Sequence, residues 1–275
     1  MNQKKSSLSE LQLRVITGLL GATIMVSGML YNDLSFGFLF LAITVLATQE
    51  FYKLLRLDGN QPLHWLGLML SGLLFSGTYL VIHHQLEPKF LVLLFPLMAL
   101  VFMVKLYRKD EKPFLHIAYT FLGLLYVAVP FSLLNLVAFS SGEFNNQLVS
   151  GCLFLLWASD SGAYFAGSKF GKNKLFERVS PKKSWEGFVG GMFLSLMVAL
   201  ILGQTFTSLP TWKWMFLSVI IVVCGTYGDL VESLFKRSIS IKDSGSILPG
   251  HGGFLDRFDG LLLSSPFITT FVLLT

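Results

Sequence analysis

Residues 214–232 read WMFLSVIIVVCGTYGDLVE and run directly into residues 233–259, SLFKRSISIKDSGSILPGHGGFLDRFD. The first segment is long and apolar enough to cross a lipid bilayer as a helix. The second segment places basic side chains, acidic side chains and a histidine in a short stretch of an otherwise apolar chain. Such a concentration of charge beside a membrane is costly unless the charged groups bind something. A polyphosphate and its metal ions are the natural candidates.

The composition of the whole chain is that of a membrane protein. Of its 275 residues, 53% are hydrophobic and only 13% are charged, and the mean hydropathy is +0.65. These values exclude an ordinary soluble domain. We predict an all-α fold, a polytopic membrane bundle of eight or nine transmembrane helices. Runs that are long enough to span the bilayer, about 17 to 25 residues each, lie at residues 14–31, 34–52, 63–83, 89–107, 114–139, 148–167, 187–207 and 214–232.

The first and last apolar runs raise separate questions. The first follows the basic start MNQKKSSLSELQLR, which leaves a cleaved signal peptide open, but its length and its direct connection to the second run favour a retained span. A ninth run begins at Gly260 and reaches only to Thr275, which corresponds to about 22 Å of helix. We expect that this run is too short for a full crossing, or that the chain is cut short.

The distribution of Lys and Arg predicts the orientation of the bundle. If the N-terminus is cytoplasmic, every Lys and Arg except Lys89 and Lys213 falls on the cytoplasmic side, which is a strong positive-inside bias. The net charge of +5 requires no nucleic-acid partner, because basic loops that face anionic lipid headgroups account for it. Cys152 and Cys224 lie inside predicted spans without the spacing of metal ligands, so we interpret them as packing residues.

Ionisable residues divide the chain into two predicted regions. Residues 1–147 are rich in Phe and Leu and carry almost no charge within the membrane, which predicts an N-terminal scaffold of about five spans. Residues 148–275 carry ionisable side chains at the ends of spans and in two charged loops, which predicts that any chemistry belongs there.

The first cluster of interest in this second region is WASDSGAYFAG, residues 157–167. Its Asp160 lies at membrane depth among small residues, where an acidic side chain is costly and usually faces a polar cavity. The alternative is an Asp at the membrane interface that pairs with a nearby Lys. The small residues suit close helix packing in either case.

The second cluster is the loop GKNKLFERVSPKKSWEG, residues 171–187. Its start resembles a phosphate-binding P-loop only superficially, because the glycine spacing is wrong and neither Ser nor Thr follows Lys172. A better anion site is formed by the residues before a predicted helix start at Trp185, where free N–H groups and lysine charges meet. Those residues are Ser180, Lys182, Lys183 and Ser184. Taken alone, this cluster would favour the alternative of a plain positive-inside loop.

The third cluster combines the end of the eighth span with the charged segment after it. Asp229, either Glu232 or Ser233, and Lys236 recur at helical spacing, so they share one face of the helix. Further along, Asp256 and Asp259 are three residues apart and point the same way. Hard oxygen ligands of this kind suit Mg²⁺ rather than Zn²⁺, because no cysteine and only one histidine accompany them.

The pattern SxFKRxxxxKDxGxxLPxHGGFxDRFD over residues 233–259 resembles the complete signature of the phosphatidate cytidylyltransferases, the CDP-diacylglycerol synthases. The blocks DSGAYFAG, SPKKSWEG and GDLVESLFKR are similar to other recurrent blocks of that family, so the resemblance covers about residues 157–259. It implies that CTP and phosphatidate react to give CDP-diacylglycerol and pyrophosphate, that Mg²⁺ is required, with a second cation left open, and that the protein is a homodimer.

The resemblance also implies roles for individual residues. We expect Asp229 and Asp256 to be the principal metal ligands, with Asp259 and Asp160 as supporting carboxylates. His251 is expected to hydrogen-bond a phosphate or orient a ligand, the alternative being that it only closes the LPGHGG turn. Asp243 is expected to bind metal or to pair with Lys242. The residues expected to bind the triphosphate and the lipid phosphate are Ser180, Lys182, Lys183, Ser184, Ser233, Lys236, Arg237, Lys242 and Arg257.

Three alternatives belong to other classes. A cation transporter would also place carboxylates in the membrane, but near its midplane and between related repeats, whereas here the charges crowd one face and no repeat is visible. A CTP-dependent lipid kinase would transfer the γ-phosphoryl group and release CDP. A non-catalytic lipid-binding scaffold would not need so many paired opposite charges. The modest size of the chain favours a bacterial inner membrane, with the N-terminus and the active site cytoplasmic, and an organellar membrane is the alternative.

Overall fold

The computed structural model describes residues 10–241 and 253–275, with side chains from residue 15 onward, and the described chain is almost entirely helical. Two short strands, β1 (Lys174–Phe176) and β2 (Ser180–Ser184), form an antiparallel hairpin between α7 and α8. The helices are α1 (Glu10–Leu30), α2 (Asp33–Leu57), α3 (His64–Ile82), α4 (Leu94–Leu106), α5 (Pro113–Gly123), α6 (Val129–Ala138), α7 (Asn146–Phe170), α8 (Trp185–Thr205), α9 (Thr211–Ser238) and α10 (Leu255–Leu274).

The predicted all-α membrane bundle is confirmed. Within the described residues, eight helical segments are long and apolar enough to cross a membrane. One of them, Pro113–Ala138, comprises α5, a π-helical segment at Leu124–Ala128 and α6. Another, Pro88–Leu106, is a 3-10 turn that continues into α4. Helix α1 adds a shorter apolar stretch, Val15–Leu30.

Two helix ends differ from the sequence prediction. Helix α9 continues to Ser238 instead of ending at residue 232, and α10 begins at Leu255 instead of Gly260. The expectation that the last run is too short to cross was therefore wrong, because α10 has 20 residues and is one of the segments that can span the bilayer. Polar residues extend both helices beyond the hydrophobic boundary that the sequence displays.

The two halves of the chain share one buried core. Phe51 of α2 stacks on Phe235 of α9 with ring centroids 4.9 Å apart. Phe131 of α6 meets Phe258 of α10 edge-on at 5.6 Å. Aromatic pairs of this geometry add attraction beyond the area that they bury. The cytoplasm-side ends of α9 and α10, as the Lys and Arg distribution predicts them, are therefore packed against helices of the N-terminal half.

A buried cluster of charged residues connects α4, α5 and the neighbouring loops of the N-terminal half. The sequence predicted almost no charge within the membrane in this half. Lys105 near the end of α4 forms an ion pair with Asp110 and donates to the backbone oxygen of Gln61 at 2.8 Å. His116 of α5 lies 3.5 Å from the same carboxylate. The Lys105 hydrogen bond is the main reason that the pKa of Asp110 is lowered from its usual value, although burial opposes the shift.

Replacing Asp110 with Asn is expected to destabilise the protein by about 3 kcal/mol, because Lys105 would keep its charge in a buried site without a counter-charge. The lowered pKa means that Asp110 stabilises the fold above its unfolded pKa of about 3.9 and that this contribution is lost as the pH falls through the still lower folded pKa. The measurement is thermal unfolding in detergent at neutral pH. Glu111→Gln, at an exposed neighbour, is the control, and equal melting temperatures for both variants would contradict the prediction.

Close approach of α7 and α8 depends on glycine. A Cβ atom on Gly162 of α7 would lie 2.5 Å from the backbone oxygen of Gly190 of α8. No side chain fits there without separating the two helices. Gly162 follows Asp160 by two residues in α7, so the helix separation also sets the shape of the site described below.

Replacing Gly162 with Ala is expected to lower stability by about 2 kcal/mol, because the added methyl group overpacks the crossing of α7 and α8. The matched change Gly72→Ala in α3 meets no atom closer than a side-chain carbon at 3.9 Å. It should be neutral or stabilising, since alanine favours the helix more than glycine does. Melting temperatures of the two variants in the same detergent test the prediction, which fails if Gly162→Ala melts with the unaltered protein.

Candidate active site

A polar cavity of about 390 Å³ lies where the ends of α7, α9 and α10 meet β2 and the start of α8. It is at the end of the bundle that carries the charged loops between α7 and α8 and between α9 and α10. Its lining contains residues from all three predicted clusters. The charged lining residues are Asp160, Lys182, Lys183, Asp229, Asp256 and Asp259, and the lining hydroxyls include Ser180 and Ser184.

Asp229 is anchored in the cavity by contacts with two other side chains. Its Oδ2 lies 2.6 Å from Lys183 Nζ, and its Oδ1 accepts a hydrogen bond from Ser233 Oγ at 3.3 Å. Lys183 also donates to the backbone oxygen of Thr226 at 3.3 Å. These contacts attach the β1–β2 hairpin to α9. The predicted face shared by Asp229 and Ser233 is thus present in the helix.

Lys236 lies behind the cavity rather than in its lining. Its Nζ is 2.6 Å from Glu232, one turn earlier in α9, and 2.9 Å from Asp256 of α10. Glu232 is only 1% exposed. Lys236 therefore balances two partly or fully buried carboxylates and links α9 to α10 beside the cavity.

The first two turns of α10 divide their charged residues between opposite sides. Asp256 and Asp259 both line the polar cavity, as their spacing predicted. Asp256 Oδ2 accepts the N–H of Gly253 at 3.2 Å, and Asp259 Oδ1 accepts the N–H of Gly260 at 2.7 Å. Arg257 instead lines a separate apolar cavity of about 350 Å³ among α1, α2, α7 and α10.

Asp160 opens into the polar cavity from α7 and is exposed there. Among the residues that the structure describes, it forms no ion pair with a Lys or Arg, so the alternative of an interfacial Asp–Lys pair is not the arrangement found. Lys183 and Arg257 are opposite charges that interact with it electrostatically without forming an ion pair.

The hairpin and the start of α8 place the second predicted cluster. Helix α8 begins at Trp185, as predicted, and Ser184 caps it by accepting the N–H of Gly187 at 3.1 Å. Glu186 folds back and accepts the N–H groups of Lys172 and Asn173, each at 3.1 Å. This local network holds the hairpin against the helix end and turns both Lys182 and Lys183 toward the cavity.

Several predicted site residues are not brought to this cavity. Arg237 is exposed, and its Nη1 donates to the backbone oxygen of Ile241 at 3.1 Å. Ser233 reaches the site only through its hydrogen bond to Asp229. Lys242, Asp243 and His251 lie outside the described residues.

Comparison with known proteins decides the family. The model of the cytidylyltransferase family matches residues 12–275. The chain belongs to this family. A phosphatidate cytidylyltransferase of Bacillus subtilis is 32% identical over 94% of this chain and 96% of its own length. A phosphatidate cytidylyltransferase of Haemophilus influenzae is also 32% identical, over 95% of this chain and 98% of its own, and one from Staphylococcus epidermidis is 37% identical over 65% of this chain and 69% of its own. The family predicted from residues 233–259 is therefore confirmed.

Membership of the cytidylyltransferase family makes the chain a nucleotidyltransferase, so the lipid kinase and cation transporter alternatives are not favoured. The expected magnesium ligands stay a prediction. Across residues 10–241 and 253–275, no three His, Cys, Asp or Glu side chains form a ready-made ligand set. Asp229 and Asp256 are each paired with a lysine.

One carboxylate close to this site escaped the sequence analysis. Glu50 of α2, only 1% exposed, contacts the first turn of α10. It belongs to the half that was interpreted as scaffold. The available signal was an acidic residue at the end of the apolar run 34–52, since a carboxylate at membrane depth is a candidate for function by default.

Proposed function

We propose that this chain transfers the cytidylyl group of CTP to phosphatidate and forms CDP-diacylglycerol and pyrophosphate. The observation that carries the proposal is the single cavity in which Asp229, Asp160 and Asp259 face Lys182 and Lys183, in a chain of the cytidylyltransferase family. The names of relatives that span almost its whole length support the same reaction.

The chemistry requires charge balance more than a strong base. A phosphate oxygen of phosphatidate forms a bond to the α-phosphorus of CTP while the bond from that phosphorus to the bridging oxygen of the β-phosphate breaks, and pyrophosphate leaves with the electron pair. The nucleophile is already an anion, so no proton has to be removed from it. Lys182 and Lys183 hold the negative charge of the phosphates and bring the two anions together.

The donor set of the cavity fits Mg²⁺. Its lining offers carboxylate oxygens and hydroxyl groups, with no cysteine or histidine among the described lining residues, and hard oxygen ligands are those that Mg²⁺ prefers. We propose that Asp229 and Asp256 are the principal ligands and that Asp160 and Asp259 support them. Held by these carboxylates, Mg²⁺ would neutralise phosphate charge and polarise the phosphorus centre.

We further propose where and how the enzyme works. The distribution of Lys and Arg supports a cytoplasmic position for the N-terminus and the cavity, and the bacterial relatives favour the inner membrane. A cavity at this interface lets a soluble nucleotide meet a lipid headgroup without either leaving its own phase. The homodimer implied by the family resemblance stays a proposal.

The test uses purified protein, phosphatidate in detergent micelles and CTP that carries radioactive phosphorus at either the α or the γ position. Cytidylyl transfer moves the α label into chloroform-soluble lipid and releases the γ label as pyrophosphate. Transfer of the γ label to lipid with release of CDP would establish a lipid kinase instead. If neither label moves while the protein is folded, the proposed function is wrong.

A further inference from the structure

Glu50 connects the N-terminal half of the bundle to the helix that carries two cavity carboxylates. Its Oε2 accepts the N–H of Phe254 at 2.7 Å, and its Oε1 accepts the N–H of Leu255 at 3.3 Å. These are the backbone groups at the very start of α10. The residue before them, Gly253, packs directly against the Glu50 carboxylate. A Cβ atom at Gly253 would overlap that carboxylate.

The start of α10 needs such a partner. The first N–H groups of a helix have no acceptor within the helix, and they are expensive to leave unpaired where water is scarce. Phe254, the residue at the cap position, makes no side-chain hydrogen bond to α10. A carboxylate also interacts favourably with the positive end of the helix dipole. Glu50 supplies both interactions from a helix 204 residues away in the chain.

The contact fixes more than the end of a helix. Asp256, in the first turn of α10, accepts the N–H of Gly253 with one oxygen and Lys236 with the other. Asp259 follows one turn later and lines the same cavity. A shift of the first turn of α10 relative to α2 would therefore move both carboxylates with respect to Asp229 on α9.

We propose that Glu50 is a positioning residue for cytidylyl transfer, which holds the first turn of α10 so that Asp256 and Asp259 face the substrates. The proposal rests on the proposed function and adds a residue from the predicted scaffold to the machinery of the site. Glutamine at this position would have only one acceptor oxygen. Its NH₂ group is a donor and would face a backbone N–H, which it cannot accept. The positioning role therefore requires the carboxylate, not merely a side chain of the same size.

The experiment compares Glu50→Gln with Asn145→Ala. Asn145 caps α7 in the same way, since its side-chain oxygen accepts the N–H groups of Gln147 at 3.1 Å and Leu148 at 3.4 Å, but it lies at the end of α7 opposite to Asp160. Because a misplacement of about 1 Å can cost 10²-fold in rate, we expect Glu50→Gln to lower kcat by about 10- to 100-fold. The KM for CTP should change little, since Lys182 and Lys183 are untouched. Asn145→Ala should leave the kcat of the folded protein unchanged.

A measurement without turnover separates positioning from folding. Amide hydrogen exchange in a peptide that covers residues 253–259 should become faster in Glu50→Gln and stay unchanged in Asn145→Ala. The proposal is overturned if Glu50→Gln keeps its kcat, if both variants lose kcat equally, or if exchange at the start of α10 does not respond. Hydrogen exchange needs no substrate, so it tests the positioning role even if the unaltered protein releases no pyrophosphate. Absence of pyrophosphate release would contradict only the proposed function.

Discussion

Replacing Asp229 with Asn is expected to lower turnover of CTP and phosphatidate by on the order of 10³-fold, a size typical for the loss of one preorganised charged group in an active site. The side chain keeps its shape but loses its negative charge. In the unaltered protein the Asp229 carboxylate lies 2.6 Å from Lys183 Nζ and accepts a hydrogen bond from Ser233 Oγ. Both roles proposed for Asp229, as a magnesium ligand and as the partner that orients Lys183, require that charge. Initial rates with labelled CTP in detergent micelles measure the effect.

The control for Asp229→Asn is Asp58→Asn. Asp58 is an exposed residue directly after α2, and among the described hydrogen bonds its side chain contacts only that of Asn60. Its replacement should leave the rate within about twofold of the original. The double variant Asp229→Asn with Lys183→Met removes the uncompensated lysine and should regain stability without regaining activity. Near-normal turnover in Asp229→Asn at saturating Mg²⁺ would show that the assignment of Asp229 is wrong.

The spans were predictable because a bilayer permits so few structures. A run of about 20 apolar residues in lipid must satisfy its backbone groups internally, and a helix does so. The ends of α9 and α10 were not predictable by the same reasoning. Lys236 lies in the part of α9 beyond residue 232, and Asp256 lies in the first turn of α10, where the hydropathy of the sequence suggests that no membrane helix is present. Their charges are balanced across the two helices, and that balance exists only in the folded bundle.

Helical spacing predicted which acidic residues share a face, but not which way that face turns. Asp256 and Asp259 reach the cavity together because the residue before each of them, Leu255 and Phe258, is buried in the core. The same rotation turns Arg257 to the other side of α10, into the apolar cavity beside α1. Packing of the whole bundle sets this rotation, so the sequence pattern alone could not separate Arg257 from its neighbours.

The interpretation of residues 1–147 as scaffold failed to single out Glu50 for a related reason. An isolated carboxylate at the end of an apolar run is compatible with an exposed helix end, and the sequence does not show what lies opposite. In the structure that neighbour is the start of α10, more than 200 residues away in the chain. Long-range partners of single polar residues are the information that periodicity and composition do not contain.

Replacing Lys183 with Met is expected to lower kcat/KM for CTP by on the order of 10²-fold, which corresponds to about 2.7 kcal/mol of transition-state stabilisation. Lys183 is partly buried between Asp229 and the backbone oxygen of Thr226, so its ammonium group has a fixed position in the cavity. Phosphate charge that approaches this position is balanced without further reorganisation. Methionine preserves most of the side-chain volume and removes only the charge.

Lys174→Met is the matched control for Lys183→Met, because Lys174 lies on β1 of the same hairpin, is exposed and is not part of the cavity lining. A general attraction of the basic hairpin for CTP would make the two variants equally weak, and raised salt would then reduce the activity of the unaltered protein to a similar level. A site-specific role predicts a loss only in Lys183→Met, with partial recovery in Lys183→Arg, since arginine keeps the charge but changes the donor geometry. Steady-state kinetics of the three variants at two salt concentrations distinguish these outcomes, and equal losses in Lys174→Met and Lys183→Met would remove Lys183 from the proposed mechanism.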